Sequence, residues 1–296
     1  MVNTSAYPVT IDGTRMDTLA WNIETLSGRD HLPVQRYSSQ VIPGRSGYMV
    51  AYEDAFEPGV FAVKGWVIGC DVDGNVAAGA RPQFEKNIDT LFNLIANCRG
   101  RDVELQQSSA ATGLTRRASG ILTDAFTPEM FGENSASFTL VFTLPNSVWE
   151  DTVLPADFSL ANAVAVGASN ITTLADGTAP IDDGRYLITG PIATPRLTDV
   201  SSGAWVQLNR TLAAGQNWLF DAGTRVSRFG TGLTLASADS AGTDDWPNTV
   251  HSGQYTMMKM HPYLFSGATR YPRLLLTGTG STTATAFAVR AKRKYV

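Results

Sequence analysis

Charge is scarce in this chain. Asp, Glu, Lys and Arg make up only 17% of its 296 residues, against about 25% in an ordinary soluble protein. Gly, Ser, Thr and Ala fill the shortfall. A weakly charged surface suits a protein covered by neighbours, and equally a stable β-protein with a neutral, Thr-rich exterior. The net charge of −4 offers no basic field to draw in nucleic acid. Cysteine is scarcer still, with only Cys70 and Cys98. Two thiols this far apart cannot form a metal cage, and a reducing cytoplasm argues against a bridge. Both are expected to be small buried hydrophobes. The three histidines, His31, His251 and His261, show no H-x-x-x-H spacing, so a zinc ligand set is not expected. No apolar run approaches the ~20 residues that cross a bilayer. The N-terminus, MVNTSAYPVTIDG, has neither the basic nor the apolar part of a signal peptide. The expectation is no membrane insertion, and a chain made and held in a cytoplasm until assembly.

Signatures of catalysis are missing too. There is no G-x-S-x-G elbow, no P-loop and no Rossmann glycine pattern. Asp71, Asp73 and Asn75 superficially resemble a calcium loop. Gly74 stands fourth there and Pro82 twelfth, where an EF-hand needs glycine sixth and Glu twelfth. A turn is the simpler reading. Asp182-Asp183 and Asp244-Asp245, with Asp221 at a strand end, leave one route to chemistry. A glycosidase needs two carboxyls roughly 5 to 10 Å apart across a sugar, but acids beside Gly and Pro usually belong to turns. No catalytic residue, cofactor or metal is expected.

What is present is β-structure. Val60 to Ile68, VFAVKGWVI, is a β-branched and aromatic run between Pro58-Gly59 and the turn Asp73-Gly74-Asn75. Its apolar residues face both ways and predict cover on both faces. Phe138, Leu140, Phe142 and Leu144 alternate with Thr139, Val141 and Thr143, the period of a half-buried strand. Arg101–Gln107 and Arg117–Phe126 are further strands. One helix is predicted from Pro82 to Cys98, with Pro82 at its first position. Its apolar stripe is Phe84, Ile88, Leu91, Phe92 and Ile95. Gly100 supplies a left-handed stop, and Arg99 and Arg101 sit at the negative end of the dipole.

Composition shifts after Trp149. Asp151 to Asp183 is rich in Ala, Asn, Thr, Gly and Asp, with weak periodicity. From Tyr186 short strands alternate with Gly, Pro and Asn turns: Tyr186–Thr189, Thr194–Val200, Trp205–Leu208, Trp218–Asp221, Arg225–Phe229, Tyr255–Met260, Arg273–Thr277 and Ala284–Lys292. Many short strands with regular turns argue for a sandwich or jelly roll, and Gly230–Gly253 reads as a loop-rich insertion. The fold class is mainly β with one helix. An N-terminal β-sandwich-like domain with a covering helix spans 1–150, a linker and lead-in 151–185, and a C-terminal β-sandwich 186–296. In the last strand Arg290, Lys292 and Lys294 fall on one face. They form a candidate docking strip for an acidic partner, or a solvated strand face. Three charges are too few to read as nucleic-acid binding.

Local sequence goes further. Leu32-Pro33, then Val41-Ile42-Pro43-Gly44-Arg45-Ser46-Gly47, then the Val60–Ile68 strand and the helix ending NCRGRDVEL, resemble the first domain of the distal tail proteins (Dit) of long-tailed siphophages, often called minor tail proteins. The second half continues the resemblance. Ala179-Pro180-Ile181-Asp182 precedes Gly190-Pro191-Ile192 and Thr194-Pro195-Arg196, then Leu212-Ala213-Ala214-Gly215 and Leu219-Phe220-Asp221. That order is similar to the family's galectin-like or jelly-roll C-terminal domain. Gly230–Gly253 and Pro272–Val296 match the pattern only loosely.

The resemblance implies a structural, non-enzymatic role at the virion tail tip. It implies a homo-hexameric ring that joins the tail tube protein to the tip hub, with the tape measure protein and receptor-binding proteins or host glycans as further partners. Pro43, Gly44, Arg45 and Gly47 are then candidate inter-subunit residues, because Pro stiffens the turn and Gly supplies positive φ. The first domain would make the ring and the second hang outside it. Two rivals are a carbohydrate-binding module, with Trp205, Trp218 and Trp246 as stacking platforms, and a tail-associated glycan hydrolase. Buried core competes for the first two tryptophans.

Overall fold

The computed structural model describes residues 8–27, 35–41, 48–76, 79–108, 113–124, 127–161, 167–252, 258–264 and 269–296. The chain divides into two compact units, Met1–Thr152 with Val296, and Val153–Tyr295. Both are built on antiparallel sheets.

The first unit carries β1 (Val9–Ile11), β2 (Thr14–Arg15), β3 (Trp21–Ser27), β4 (Gln35–Val41), β5 (Tyr48–Phe56), β6 (Gly59–Ile68), β7 (Val103–Ser108), β8 (Thr115–Leu122), β9 (Glu129–Met130), β10 (Ser135–Leu144) and β11 (Trp149–Asp151). The main path runs β2-β1-β7-β8-β10-β6-β3, with β9 on β10 and β11 on β8. β4 and β5 pair with each other. The longest ladder joins β10 to β6, from Ser135 opposite Ile68 to Leu144 opposite Gly59.

Burial on β6 corrects the expectation of two covered faces. Phe61, Val63 and Val67 are fully buried on one side, while Val60 on the other is 55% exposed. Lys64, on that outer side, pairs with Glu24 at 3.2 Å. A lysine at the strand centre needs water, so the outer face stays half open.

The helix α1 (Ala80–Cys98) starts two residues before Pro82. Proline is tolerated there because first-turn N–H groups have no intrahelical acceptor. Gly100 takes φ +72°, and Arg101 donates to the Asn97 carbonyl at 2.7 Å. Its buried stripe is Phe84, Asn87, Leu91, Leu94, Ile95 and Cys98, whereas Phe92, expected within it, is 45% exposed. The stripe is rotated to admit Asn87. Asn87 Nδ2 donates to the carbonyls of Ile68 and Cys70, both at 2.7 Å. A buried amide at the helix centre thereby satisfies carbonyls at the end of β6.

The second unit is a sandwich. One sheet contains β12 (Phe158–Ala161), β14 (Arg185–Thr189), β18 (Gln216–Asp221), β19 (Val226–Thr231), β20 (Thr243–Asp244) and β24 (Ala286–Arg290). Its order is β12-β24-β14-β18-β19-β20. The other contains β13 (Gly167–Asn170), β15 (Ile192–Asp199), β16 (Trp205–Leu208), β17 (Thr211–Leu212), β21 (Thr249–His251), β22 (Pro262–Leu264) and β23 (Arg270–Thr279). It runs β13-β23-β15-β16-β21, with β17 on β15 and β22 on β23. Tyr186, Ile188, Trp218, Phe220, Phe287 and Val289 meet Ile192, Leu197, Val206, Leu208, Leu274 and Leu276 in one core. The weakly periodic segment after Trp149 supplies β12 and β13, which pair with the late strands β24 and β23.

The Gly230–Gly253 segment is packed as well as looped. Leu233 and Leu235 bury against Leu219, with Leu187 and Ala288 beside them. These three lie on the side of the first sheet away from the core. Arg185 fastens the segment down, donating to the carbonyls of Leu235 at 3.1 Å and Ser237 at 3.0 Å, and to Asp239 and Asp221.

Candidate functional site

The acids that could have carried chemistry are engaged. Lys294 is 7% exposed and bonds Asp182, and Asp183 at 3.2 Å. Burial alone would lower the Lys294 ammonium, but the two carboxylates outweigh it and the net shift is upward. Asp221 is held by Arg185. Asp245, 2% exposed, accepts from Arg210 at 3.2 Å and from Asn248 at 2.6 Å, and Asp244 accepts from the Trp246 backbone N–H. Asp182 and Asp183 share one lysine and stay 51% and 42% exposed, whereas the Asp245 side chain is 2% exposed. Among the described residues no group of three or more His, Cys, Asp or Glu is placed to hold a metal.

The remaining singled-out residues have local partners. His261 Nδ1 lies 3.0 Å from the fully buried Asp199, and His251 packs beside Trp246 with centroids 6.4 Å apart. His31 lies outside the described residues. Cys70 and Cys98 are buried and unbridged, and burial pushes both thiols up. Asp71 folds the 71–75 turn by accepting from the backbone N–H groups of Asp73 and Asn75 at 3.0 and 2.7 Å. These two bonds spend Oδ1 on the turn itself.

Two features were not read from the sequence. One is a cleft of about 820 Å³ between the turn after β2 and the first turns of α1. Asp17, Leu19, Trp21, Val72 and Lys86 line it. Asp17 is deeply buried and held by Arg15 at 2.9 Å. No local pattern announces the cleft, because it is made by segments about 50 residues apart.

The other is the outer face of the β13-β23-β15-β16-β21 sheet. Trp218 is core as its alternative reading had it, 1% exposed, with Nε1 donating to Ser227 Oγ at 2.9 Å. Trp205 is not core. It lies half-buried on the outer face, and the Arg196 guanidinium stands over its ring at 4.2 Å. The pairing explains the geometry: Arg196 faces Gln207, Thr198 faces Trp205, and the arginine reaches diagonally to the indole. Arg196 owes this outward position to a bulge. Between Ala193 and Arg196 the register with β23 slips by one residue, at Thr194, which takes φ +45°. Without the extra residue Arg196 would turn inward and Leu197 outward. Positive φ at a β-branched residue is strained.

No family model matches the sequence, and no curated protein does. Comparison with solved structures finds phage SPP1 Dit (gp 19.1) over 98% of this chain and 99% of that one, at 16% identity and a TM-score of 0.57. The chain has the Dit fold. A subunit of the phage p2 baseplate in its activated conformation also aligns over 98% of this chain and 99% of its own, at 11% identity and a TM-score of 0.39.

A Dit fold directs attention to surfaces. Pro43, Gly44, Arg45 and Gly47, the candidate inter-subunit residues, lie outside the described residues. The single basic face expected for Arg290, Lys292 and Lys294 is interrupted: β24 ends at Arg290 and residues 291–293 belong to no strand. Arg290 is paired with Asp157 at 2.7 Å and Lys294 is buried on its two aspartates. With residues 291–293 outside any strand, period two does not carry through to Lys294.

Proposed function

We propose that this chain is a structural component of a phage tail tip: a distal tail protein that closes into a homo-hexameric ring. The ring joins the tail tube to the tip hub and to baseplate or receptor-binding proteins. The observation that carries the reading is the fold, which follows that of SPP1 Dit over essentially the whole of both chains. The match runs the length of both chains, which supports a shared role more than a shared module would. The engagement of Asp182, Asp183, Asp221 and Asp245 with cations supports a role without hydrolysis. A ring requires a head-to-tail interface whose rotation closes. In this proposal the interface belongs to the first domain, residues 1–150, including Pro43, Gly44, Arg45 and Gly47. The second domain is peripheral. Tape measure protein, tail tube protein and tip hub are the expected partners, and the virion tail tip the expected location.

Light scattering and negative-stain microscopy of the purified chain, alone and co-expressed with neighbouring tail proteins, test the reading. Closed six-fold rings are expected. A strict monomer that enters no tail particle overturns it.

A further inference from the structure

The outer face around Arg196 and Trp205 is chemically unlike the rest of this acidic chain. The seven strands of its sheet contain the arginines Arg196, Arg270 and Arg273, and a single carboxylate, Asp199. Asp199 is fully buried and turned inward onto His261 and Ser202. On the outer face Arg196 is half-exposed, and Arg273 lies against the Tyr263 ring. On the opposite sheet Arg185 and Arg290 each lie against aspartates, and between β16 and β17 Arg210 lies against Asp245. Among the described residues Arg196 pairs with no carboxylate, and its charge rests on an indole.

We propose that this face binds a phosphate-bearing carbohydrate polymer. The Arg196 fork, held planar against Trp205, matches a phosphate's paired oxygens, and stacking limits the rotamer entropy lost on binding. The exposed part of the indole takes the apolar face of a sugar. Thr198, directly opposite Trp205, offers a hydroxyl to ring hydroxyls, and Gln207, directly opposite Arg196, offers its amide oxygen while its Nε2 donates to Asn209 at 2.7 Å. The strained bulge at Thr194 sets Arg196 on this side, and strain of that kind tends to sit beside functional groups. A neutral glycan would leave the guanidinium unused. Nucleic acid is disfavoured because sequence-tolerant strand binding uses successive aromatic platforms, and this face has one. The inference concerns the second unit's own surface and does not depend on ring formation.

The test is titration calorimetry of the purified full-length chain with phosphomannan, with enzymatically dephosphorylated mannan, hyaluronan and single-stranded DNA as comparison arms. Phosphomannan should bind, and removal of its phosphate should weaken binding by at least about tenfold. Arg196→Gln and Trp205→Ala should each lose about tenfold or more, whereas Trp205→Phe, which keeps a ring, should stay within about threefold. Far-UV circular dichroism establishes that each variant is folded, and Arg196→Lys, which keeps charge but loses the fork, replaces any that is not. No binding to phosphomannan overturns the proposal, as does binding unchanged in every variant. Equal affinity for DNA makes the face a general polyanion surface and overturns it. If the variants instead block incorporation into tail particles, the face is a protein interface. Ring formation is scored separately on the same preparations, so loss of rings counts against the assembly reading alone.

Discussion

The two sheets of the second unit differ in what lies on their backs. Behind β14 and β18 the segment after β19 folds down, and Leu219 becomes 1% exposed under Leu233 and Leu235. Behind β15 and β16 no such layer is present among the described residues, and Arg196, Trp205 and Gln207 stay half-exposed. The strand patterns register this. β18, QNWLFD, is buried at five successive positions, while β16, WVQL, alternates. A strand covered on both sides can be apolar throughout; one covered on a single side must keep period two. The closed back is a stability device, and the open one carries the proposed binding face.

The largest effect is expected where the closed back is fastened. Arg185→Ala removes the cation from Asp221, whose side chain is 9% exposed, and frees the Leu235 and Ser237 carbonyls. Leaving a buried charge unpaired should cost about 3 to 5 kcal/mol. Chemical denaturation of the full chain measures it, and hydrogen exchange should rise first across residues 232–241. A loss below about 1 kcal/mol would make the clamp ornamental.

Next comes a matched pair of leucines. Leu219→Ala, under the closed back, should lose about 2 to 4 kcal/mol through transfer and cavity terms. Leu275→Ala, on the open face and half-buried, should stay within about 1 kcal/mol. Equal losses would mean that the open face is covered in solution, and the contrast drawn above would fail.

Much of this architecture was legible in the sequence, for local reasons. Strong alternation located β6 and β10, short runs between turns located β14, β15, β16, β18, β19, β23 and β24 to within a few residues, and α1 announced itself through a 3.6-residue stripe and Gly100; of the expected strand Tyr255–Met260, residues 255–257 lie outside the described residues and 258–260 form no strand. What was not legible depends on distant partners. Asn87 could not be read as a stripe member because its acceptors lie near the end of β6. The 151–185 segment hid β12 and β13 because their periodicity comes from strands more than 100 residues later. Gly230–Gly253 looked like loop because its two buried leucines are spaced by one residue, too few for a pattern. Of the singled-out chemistry, the cations that hold Asp182, Asp183, Asp221 and Asp245 were not legible, because they lie 35 or more residues away in sequence. The choice between core and platform for Trp205 could not be made from sequence, because the β-bulge two residues before Arg196 leaves no mark except Thr194-Pro195.

A smaller effect is expected between the sheets. The Tyr186 hydroxyl is buried with no hydrogen-bond partner among the described residues. Burial pushes its phenol well above the ordinary range, and Asp199, Asp183, Asp182 and Asp221 push the same way, so it stays neutral. An unpaired buried hydroxyl is a standing cost. Tyr186→Phe should therefore be neutral or stabilise by about 1 kcal/mol, read as a raised midpoint of denaturation. A loss above about 1 kcal/mol would reveal a partner for the hydroxyl.

The smallest effect belongs to the pairing of β14 with β24 in the closed-back sheet. Arg185 and Arg290 stand directly opposite each other on β14 and β24, an arrangement that repels unless each has its own acid. Arg185 has Asp221 and Asp239, and Arg290 has Asp157 through two bonds of 2.8 and 2.7 Å. The hydrogen bond from Arg290 lowers the Asp157 carboxyl from its ordinary 3.8, against a smaller upward push from burial. A carboxyl lowered by folding contributes stability above its unfolded value, and that contribution is lost as pH falls through the folded value. Asp157 is 37% exposed, so screening holds the contribution below about 1 kcal/mol. Asp157→Asn should thus differ from the parent by less than about 1 kcal/mol at neutral pH, and the two should converge as pH drops below 3.8. Parallel curves with no convergence would show that the asparagine acts through something other than the ion pair. The same variant bears on the docking strip. It frees Arg290 without touching Lys292 or Lys294, so tighter capture of an acidic tail partner would mean that Arg290 can serve there once released from Asp157.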